Sequence, residues 1–268
     1  MSYGWVSFTT DYGIADGFVA AVKGVIAGIA PDARVLDVTH QVPPQDVRRG
    51  AAVLAQTAPW LPPAVHLAVV DPGVGTDRRG VAVVAGRGVL VGPDNGLLLP
   101  AADQFGGIAE VVEISASPWR LDTVSATFHG RDVFAPVAAR LAAGEPLAEA
   151  GAPLEPEELE RIELSRARAE DGALVARIVD VDTFGNLALD AGLRDLKGTD
   201  IRLADPIAVR SGGRRSPGVF ARTFADTRRG GLLLYEDAGG SLAVAVNGGD
   251  AAALLGARRG EELRVERT

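Results

Sequence analysis

Through roughly the first 150 positions, apolar runs of two different periods alternate. "YGWVSFTT" is a β-branched and aromatic run. "DGFVAAVKGVIAGIA" repeats its apolar residues at helical spacing until Pro31, and "ARVLDVT" is strand-like again. "PQDVRRGAAVLAQTA" is helical as far as Pro59, and "AVHLAVVD" is strand-like. This alternating order predicts a βαβαβ unit with a mostly parallel, covered central sheet. "VAVVAG" and "GVLVGP" then predict a hairpin, "NGLLLPAADQF" a short helix, "AEVVEIS" a strand and "RDVFAPVAARLAAG" a helix.

The pattern changes over "GAPLEPEELERIELSRARAED" (151–171), which is rich in Pro, Glu and Arg and lacks a strong apolar face. A linker is expected at 156–171, between an α/β domain at 1–155 and a second domain at 172–268. In the second domain "ALVARIVDVD", "LALD", "IRLA", "GVFART", "GGLLLYED", "SLAVAVN" and "ELRVER" are short, turn-separated β runs, with a brief helix at "GDAAALLG". They predict a small antiparallel β-barrel or sandwich.

A chain of 268 residues with 47% hydrophobic content can bury a real core. Its formal net charge of -8 argues against a general nucleic-acid or anionic-membrane binder, since phosphate-rich partners are met by a basic face. The absence of cysteine excludes disulfides, thiolate metal sites and a thiol nucleophile. The opening "MSYGWVSFTTDYG" lacks the basic and apolar regions of a signal peptide, and no apolar run reaches the ~18 residues of a membrane span. A cytoplasmic protein without nucleic-acid or membrane partners is expected.

Chemistry-bearing residues gather after the strands, where open α/β sheets bind ligands. "VVDPGVGTDRR" (69–79) sets Asp71 at a strand end, then two glycines that let a backbone approach a ligand, then Arg78 and Arg79. It has neither phosphate-loop spacing, GxxxxGK[ST] or GxGxxG, and an Asp-Pro turn also accounts for Asp71. "TFHGRDVF" (127–134) sets His129 in the same kind of loop, before a helix expected to begin near Arg131. "TTDYGIADG" supplies Asp11 and Asp16, either of which could cap the next helix. "GPDNG" (92–96) is first a turn, with Asp94 or Asn95 as its second use. "DTFGN" (182–186) offers Asp182, Phe184 and Asn186, which suit a purine but also spell a β-turn. His40 and His66 are assigned to structure. With three histidines, none paired at helical spacing, and no HExxH or DxD cluster, no metal site is expected; no GxSxG elbow marks a serine hydrolase.

Taken in order, "TTDYG", "DVTHQVPPQDVRRGA", "VVDPGVGTDRRG", "GPDNGLL", "TFHGRDVFAPVAA", "DTFGN" and "AVNGGDAA" make the chain resemble the S-adenosyl-L-methionine (SAM) hydroxide adenosyltransferases, relatives of fluorinase and chlorinase, from about residue 3 to the C-terminus. The resemblance implies an α/β domain followed by a small β-barrel, and a homotrimer that binds SAM between one subunit's N-terminal domain and its neighbour's C-terminal domain. It implies displacement at ribose C5′ by water or hydroxide, giving adenosine and methionine, with SAM as substrate and no cofactor. The family's Asp-Arg-His triad falls on Asp71, Arg78 and His129. Asp11 matches the carboxylate on the ribose hydroxyls, Asn186 the amide near adenine and Asp182 the carboxylate near the methionine amino group; Phe128 and Phe184 join the binding set. Halogenating relatives have a serine where Gly130 stands, and a Ser-Arg pair where Ala238 and Gly239 stand. The rival expectations are a chloride adenosyltransferase, a non-catalytic SAM or nucleoside sensor and, third, a Mg-dependent phosphohydrolase.

Overall fold

The structure, a computed structural model, describes residues 2–162 and 167–268. Two compact units divide the chain, residues 1–162 and residues 163–268. Residues 163–166, inside the linker expected at 156–171, lie outside the described residues.

The first unit runs β1 (Trp5–Thr10), α1 (Phe18–Ile29), β2 (Arg34–Thr39), α2 (Val47–Thr57), β3 (Val65–Val69), β4 (Gly80–Ala85), β5 (Gly88–Pro93), α3 (Leu99–Gln104), β6 (Ile108–Glu113), α4 (Ala135–Ala143) and β7 (Ala152–Pro153). Its seven strands form one sheet in the order β2-β1-β3-β5-β4-β6-β7. The first four are mutually parallel, and β4, β6 and β7 add an antiparallel flank. Both sheet faces carry helices. Val22 and Ile26 of α1 and most of α4 pack with Phe8, Val65 and Leu67 on one side. Ala51 and Leu54 of α2 and Leu99, Ala101 and Ala102 of α3 pack with Ala68, Val83 and Leu90 on the other. This double cover explains why every residue of β3 is buried, His66 included.

Local signals set the element ends. Asp46 caps α2 by accepting from Arg49 N at 2.9 Å. Asp16 caps nothing: the N-cap of α1 is Gly17, without a side-chain bond. The helix expected from Arg131 begins as a π-turn, Gly130–Phe134, before α4 proper.

The second unit contains β8 (Arg168–Glu170), β9 (Ala173–Val181), β10 (Leu187–Leu189), β11 (Pro206–Ser211), β12 (Arg214–Phe220), β13 (Leu232–Glu236), β14 (Leu242–Val246), α5 (Ala251–Leu255) and β15 (Glu262–Arg267). The strands follow β10-β14-β13-β12-β11-β15-β9, and β9 pairs back onto β10, closing a seven-stranded barrel with β8 appended along β9. Inward residues such as Leu174, Ile178, Ile207, Val209, Leu234, Val244 and Val265 fill it. Two details differ from the sequence pattern. Pairing is antiparallel throughout except between β12 and β13, which run parallel because the connection at 221–231 is long enough to cross back. "IRLA" is not a strand; Ile201 enters the core from a loop held by Thr199, and the strand is "PIAVRS" instead.

Candidate active site

Asp71 follows β3 at the carboxyl end of the parallel sheet. Two tight turns fold the next residues back on it: Val74 N donates to Asp71 O at 3.3 Å, and Thr76 donates to Gly73 O through N (3.2 Å) and Oγ1 (2.7 Å). The side chain of Arg78 is thereby returned to Asp71. Its Nε donates to Oδ1 at 3.0 Å and its Nη2 to Oδ2 at 2.5 Å, a two-point grip on a carboxylate that is 6% exposed. Nη1 donates to Arg79 O at 2.9 Å, and the guanidinium lies 5.3 Å from the centre of the Phe134 ring.

The second loop meets the first at Gly75. Its φ is +80°, and a Cβ there would overlap the Ala126 carbonyl oxygen. The glycine expected to make room for a ligand makes room for the neighbouring loop, and that contact brings His129 in: its Nδ1 is 3.3 Å from Arg78 Nη2. The loop is tied down by Asp132, fully buried, which accepts from Ser125 N at 2.8 Å and pairs with Arg131 at 2.6 Å. Burial pushes the Asp71 carboxyl above its ordinary value against the pull of Arg78 and His129. Burial, then the Arg78 charge, pushes His129 below its ordinary 6.5, so the imidazole is neutral at pH 7.

The adjacent arginines have different partners. Arg79 grips buried Asp94 at 2.9 Å, while Asp94 also accepts from Glu160 N at 2.9 Å. Asn95 donates to Val70 O at 2.9 Å. Asp94 and Asn95 therefore hold the loop after β5 in place. His40 accepts Gly13 N on its carbonyl at 2.7 Å and touches Thr10 Oγ1 at 2.9 Å, bracing the loop that bears Asp11. Asp11 accepts from Gln45 N through Oδ2 at 2.8 Å. Phe128 sits in an aromatic cluster with Tyr12 (5.7 Å) and Phe18 (5.4 Å). The structure thus groups Asp71, Arg78 and His129, and Phe128, next to His129 in sequence, packs against Tyr12, Phe18 and Arg131. It also adds Asp132, Phe134 and Tyr12, whose parts depend on contacts between distant loops; the signal for Tyr12 was its place next to Asp11 in "TTDYG".

In the second unit, Asp182 and Asn186 close one turn between β9 and β10. Asp182 Oδ1 accepts from the backbone of Phe184 and Asn186, both at 2.9 Å, and Oδ2 accepts from Asn186 Nδ2 at 2.8 Å. Phe184 projects from the turn, 76% exposed. Ala238 and Gly239 lie in the β13–β14 hairpin, where Asp237 accepts from Gly239 N at 2.8 Å and Ser241 N at 2.9 Å. Among the described residues no three His, Asp or Glu side chains form a metal-binding group, and no helix is long and apolar enough to cross a membrane.

A parallel sheet that ends in a clamped, desolvated carboxylate and a neutral imidazole, followed in the chain by a closed barrel, offers the residue types of an acid–base enzyme. The profile of the SAM hydroxide adenosyltransferase N-terminal domain matches residues 6–151 and that of the C-terminal domain residues 176–264. The chain belongs to this family. It is 57% identical over 261 residues, 97% of each chain, to an (R)-S-adenosyl-L-methionine hydrolase of Salinispora arenicola. It is 28% identical over 270 residues, 90% of each, to a fluorinase of an Actinoplanes species. A crystal structure of an uncharacterized conserved protein from Thermotoga maritima matches with a TM-score of 0.91 at 35% identity, covering 98% of this chain and 100% of that one.

Proposed function

We propose that the protein hydrolyses SAM to adenosine and L-methionine by attack of water on ribose C5′. The observation that carries the reading is the two-point grip of Arg78 on Asp71, with a third guanidinium N–H turned to His129. The sulfonium leaves as a neutral thioether, so the leaving group needs no proton and the demand falls on the nucleophile. Free hydroxide at pH 7 would cost roughly 12 kcal/mol, given a water pKa near 15.7. Asp71 avoids that cost by taking the proton as the C–O bond forms, and its raised basicity suits this. Arg78 fixes the carboxylate and His129 directs the water. One water and one SAM cation become adenosine, methionine and one proton, which Asp71 passes to solvent.

In this reading Asp11 Oδ1 receives the ribose hydroxyls, and Asn186, with Nδ2 engaged by Asp182, presents its Oδ1 to adenine. Phe128 and Phe184 supply apolar surface to the nucleoside, and the Asp182 charge favours the methionine ammonium. The working unit is a cytoplasmic homotrimer without a cofactor, in which a neighbouring copy completes the site. Supporting this, Ile14 and Phe18 beside the Asp11 loop are 72% and 48% exposed, apolar side chains that one chain leaves in water. Chloride as nucleophile is disfavoured by the Asp71 charge and by the lack of room for a side chain at Gly130.

The test is incubation of each sulfonium epimer of SAM in EDTA and ¹⁸O-water, with and without chloride, and mass analysis of the products. Adenosine labelled at C5′ with equimolar methionine, formed from the (R) epimer named for the relatives, is the expected result. 5′-Chloro-5′-deoxyadenosine, dependence on metal, or binding without turnover would each replace the reading. Light scattering checks for three copies.

A further inference from the structure

The Tyr12 hydroxyl lies over Gly130: a Cβ on that glycine would overlap the phenol oxygen and stand 3.2 Å from its ring carbon Cζ. Gly130 is buried and opens the π-turn next to His129, so the phenol occupies the space a side chain would otherwise take beside the triad. The ring is fixed from several sides. It packs edge-on to Phe128 at 5.7 Å and near Phe18 at 6.1 Å, and Tyr12 N donates to Thr10 Oγ1 at 3.2 Å. The phenol is largely desolvated, and burial, then the Asp11 and Asp71 carboxylates, drives its pKa up, so it stays a neutral O–H. Among the described residues no protein group is hydrogen-bonded to that hydroxyl, and its oxygen is not fully buried, so it is open to a water.

We propose that Tyr12 is a positioning residue of the nucleophile site, its hydroxyl seated over Gly130 beside Asp71 so as to hold the attacking water and keep the space small. The inference rests on the hydrolase reading above. The water gives one hydrogen to Asp71 and the other to the Tyr12 hydroxyl oxygen, accepts from His129 Nε2–H on one lone pair and turns the other to C5′, which fixes the direction of attack. The ring shapes the pocket and the oxygen aims the water, so the two contributions separate on mutation.

The test compares wild type, Tyr12→Phe, Gly130→Ala and Tyr12→Phe/Gly130→Ala by adenosine formation and thermal melting. For Tyr12→Phe, a kcat about tenfold lower is expected, as for the loss of one aligned hydrogen bond, with the KM for SAM within about twofold and melting unchanged. Gly130→Ala loses more than Tyr12→Phe, and the double variant recovers part of that loss because the methyl then meets a ring hydrogen instead of an oxygen. Wild-type kcat in Tyr12→Phe, or a loss that appears mainly in KM or melting temperature, overturns the assignment. If wild type binds SAM but forms no adenosine, the hydrolase reading fails first and this one with it; an active wild type with an equally active Tyr12→Phe removes this one alone.

Discussion

Arg78 Nη2 stands 3.3 Å from His129 Nδ1, and a guanidinium can only donate. The neutral imidazole must therefore accept at Nδ1 and carry its hydrogen on Nε2. In that tautomer His129 can orient a water through N–H but has no free lone pair with which to deprotonate it, so the proposed reaction assigns the base to Asp71.

Two results follow for pH and for His129. Because the base acts ionised and its pKa is raised, kcat/KM should fall as pH drops through a single acidic limb centred above the ordinary carboxylate value of 3.8, with a plateau at neutrality where His129 is uncharged. His129→Gln, which retains a donor near Nε2, should keep at least about tenfold more activity than His129→Ala. A limb that disappears in both variants would make the imidazole the base.

The paired arginines should separate cleanly. Arg78→Ala is expected to lower kcat/KM by about 100-fold or more, since it frees the carboxylate from its two-point grip. Arg79→Ala should leave kcat within a few-fold but cost roughly 1–3 kcal/mol of stability, because buried Asp94 loses its cationic partner. Steady-state kinetics beside denaturant unfolding read both.

Gly75→Ala puts a methyl against the Ala126 carbonyl at a φ of +80°. The two loops must part, so kcat should fall by about tenfold or more while far-ultraviolet circular dichroism is unchanged. Wild-type turnover would show that the loop contact does not set the position of His129.

His66 supplies a stability prediction remote from the site. It is 1% exposed and touches Ser7 Oγ at 2.8 Å, and burial, helped by the Arg87 charge, lowers its pKa to about 4. The unfolded chain, with an ordinary value of 6.5, binds the extra proton in this window, so stability is full above 6.5 and is lost as pH falls toward 4. Between pH 7 and 4.5, wild type should lose about 2.5 kcal/mol more than His66→Gln in urea unfolding.

The parallel half of the sheet was legible because strand-like runs alternate with helical-period runs that stop at Pro31 and Pro59. "PIAVRS" was not, because Pro206 and Arg210 look like loop residues; the first only begins the strand, and the second faces outward to Glu266 at 2.9 Å. "IRLA" misled because burial of Ile201 mimics a strand residue, while Ala204 has a φ of +70°. At the site, each residue of the Asp71, Arg78 and His129 group could be picked out, but not the bonds among them, since these depend on Gly75 meeting Ala126. Tyr12 was marked only by its place next to Asp11; its contact with Gly130, far along the chain, was not legible.

Closure of the barrel also bears on how this unit can meet another molecule. Because β9 pairs with both β15 and β10, the ring presents no unpaired strand edge, and the appended β8 is three residues long and bears Arg168 and Glu170. Recruitment of a foreign strand, the commonest route to uncontrolled association, is closed off there. Contacts must be made by side chains and turns, and Phe184 on the turn held by Asp182 and Asn186 is the most outward of its apolar side chains.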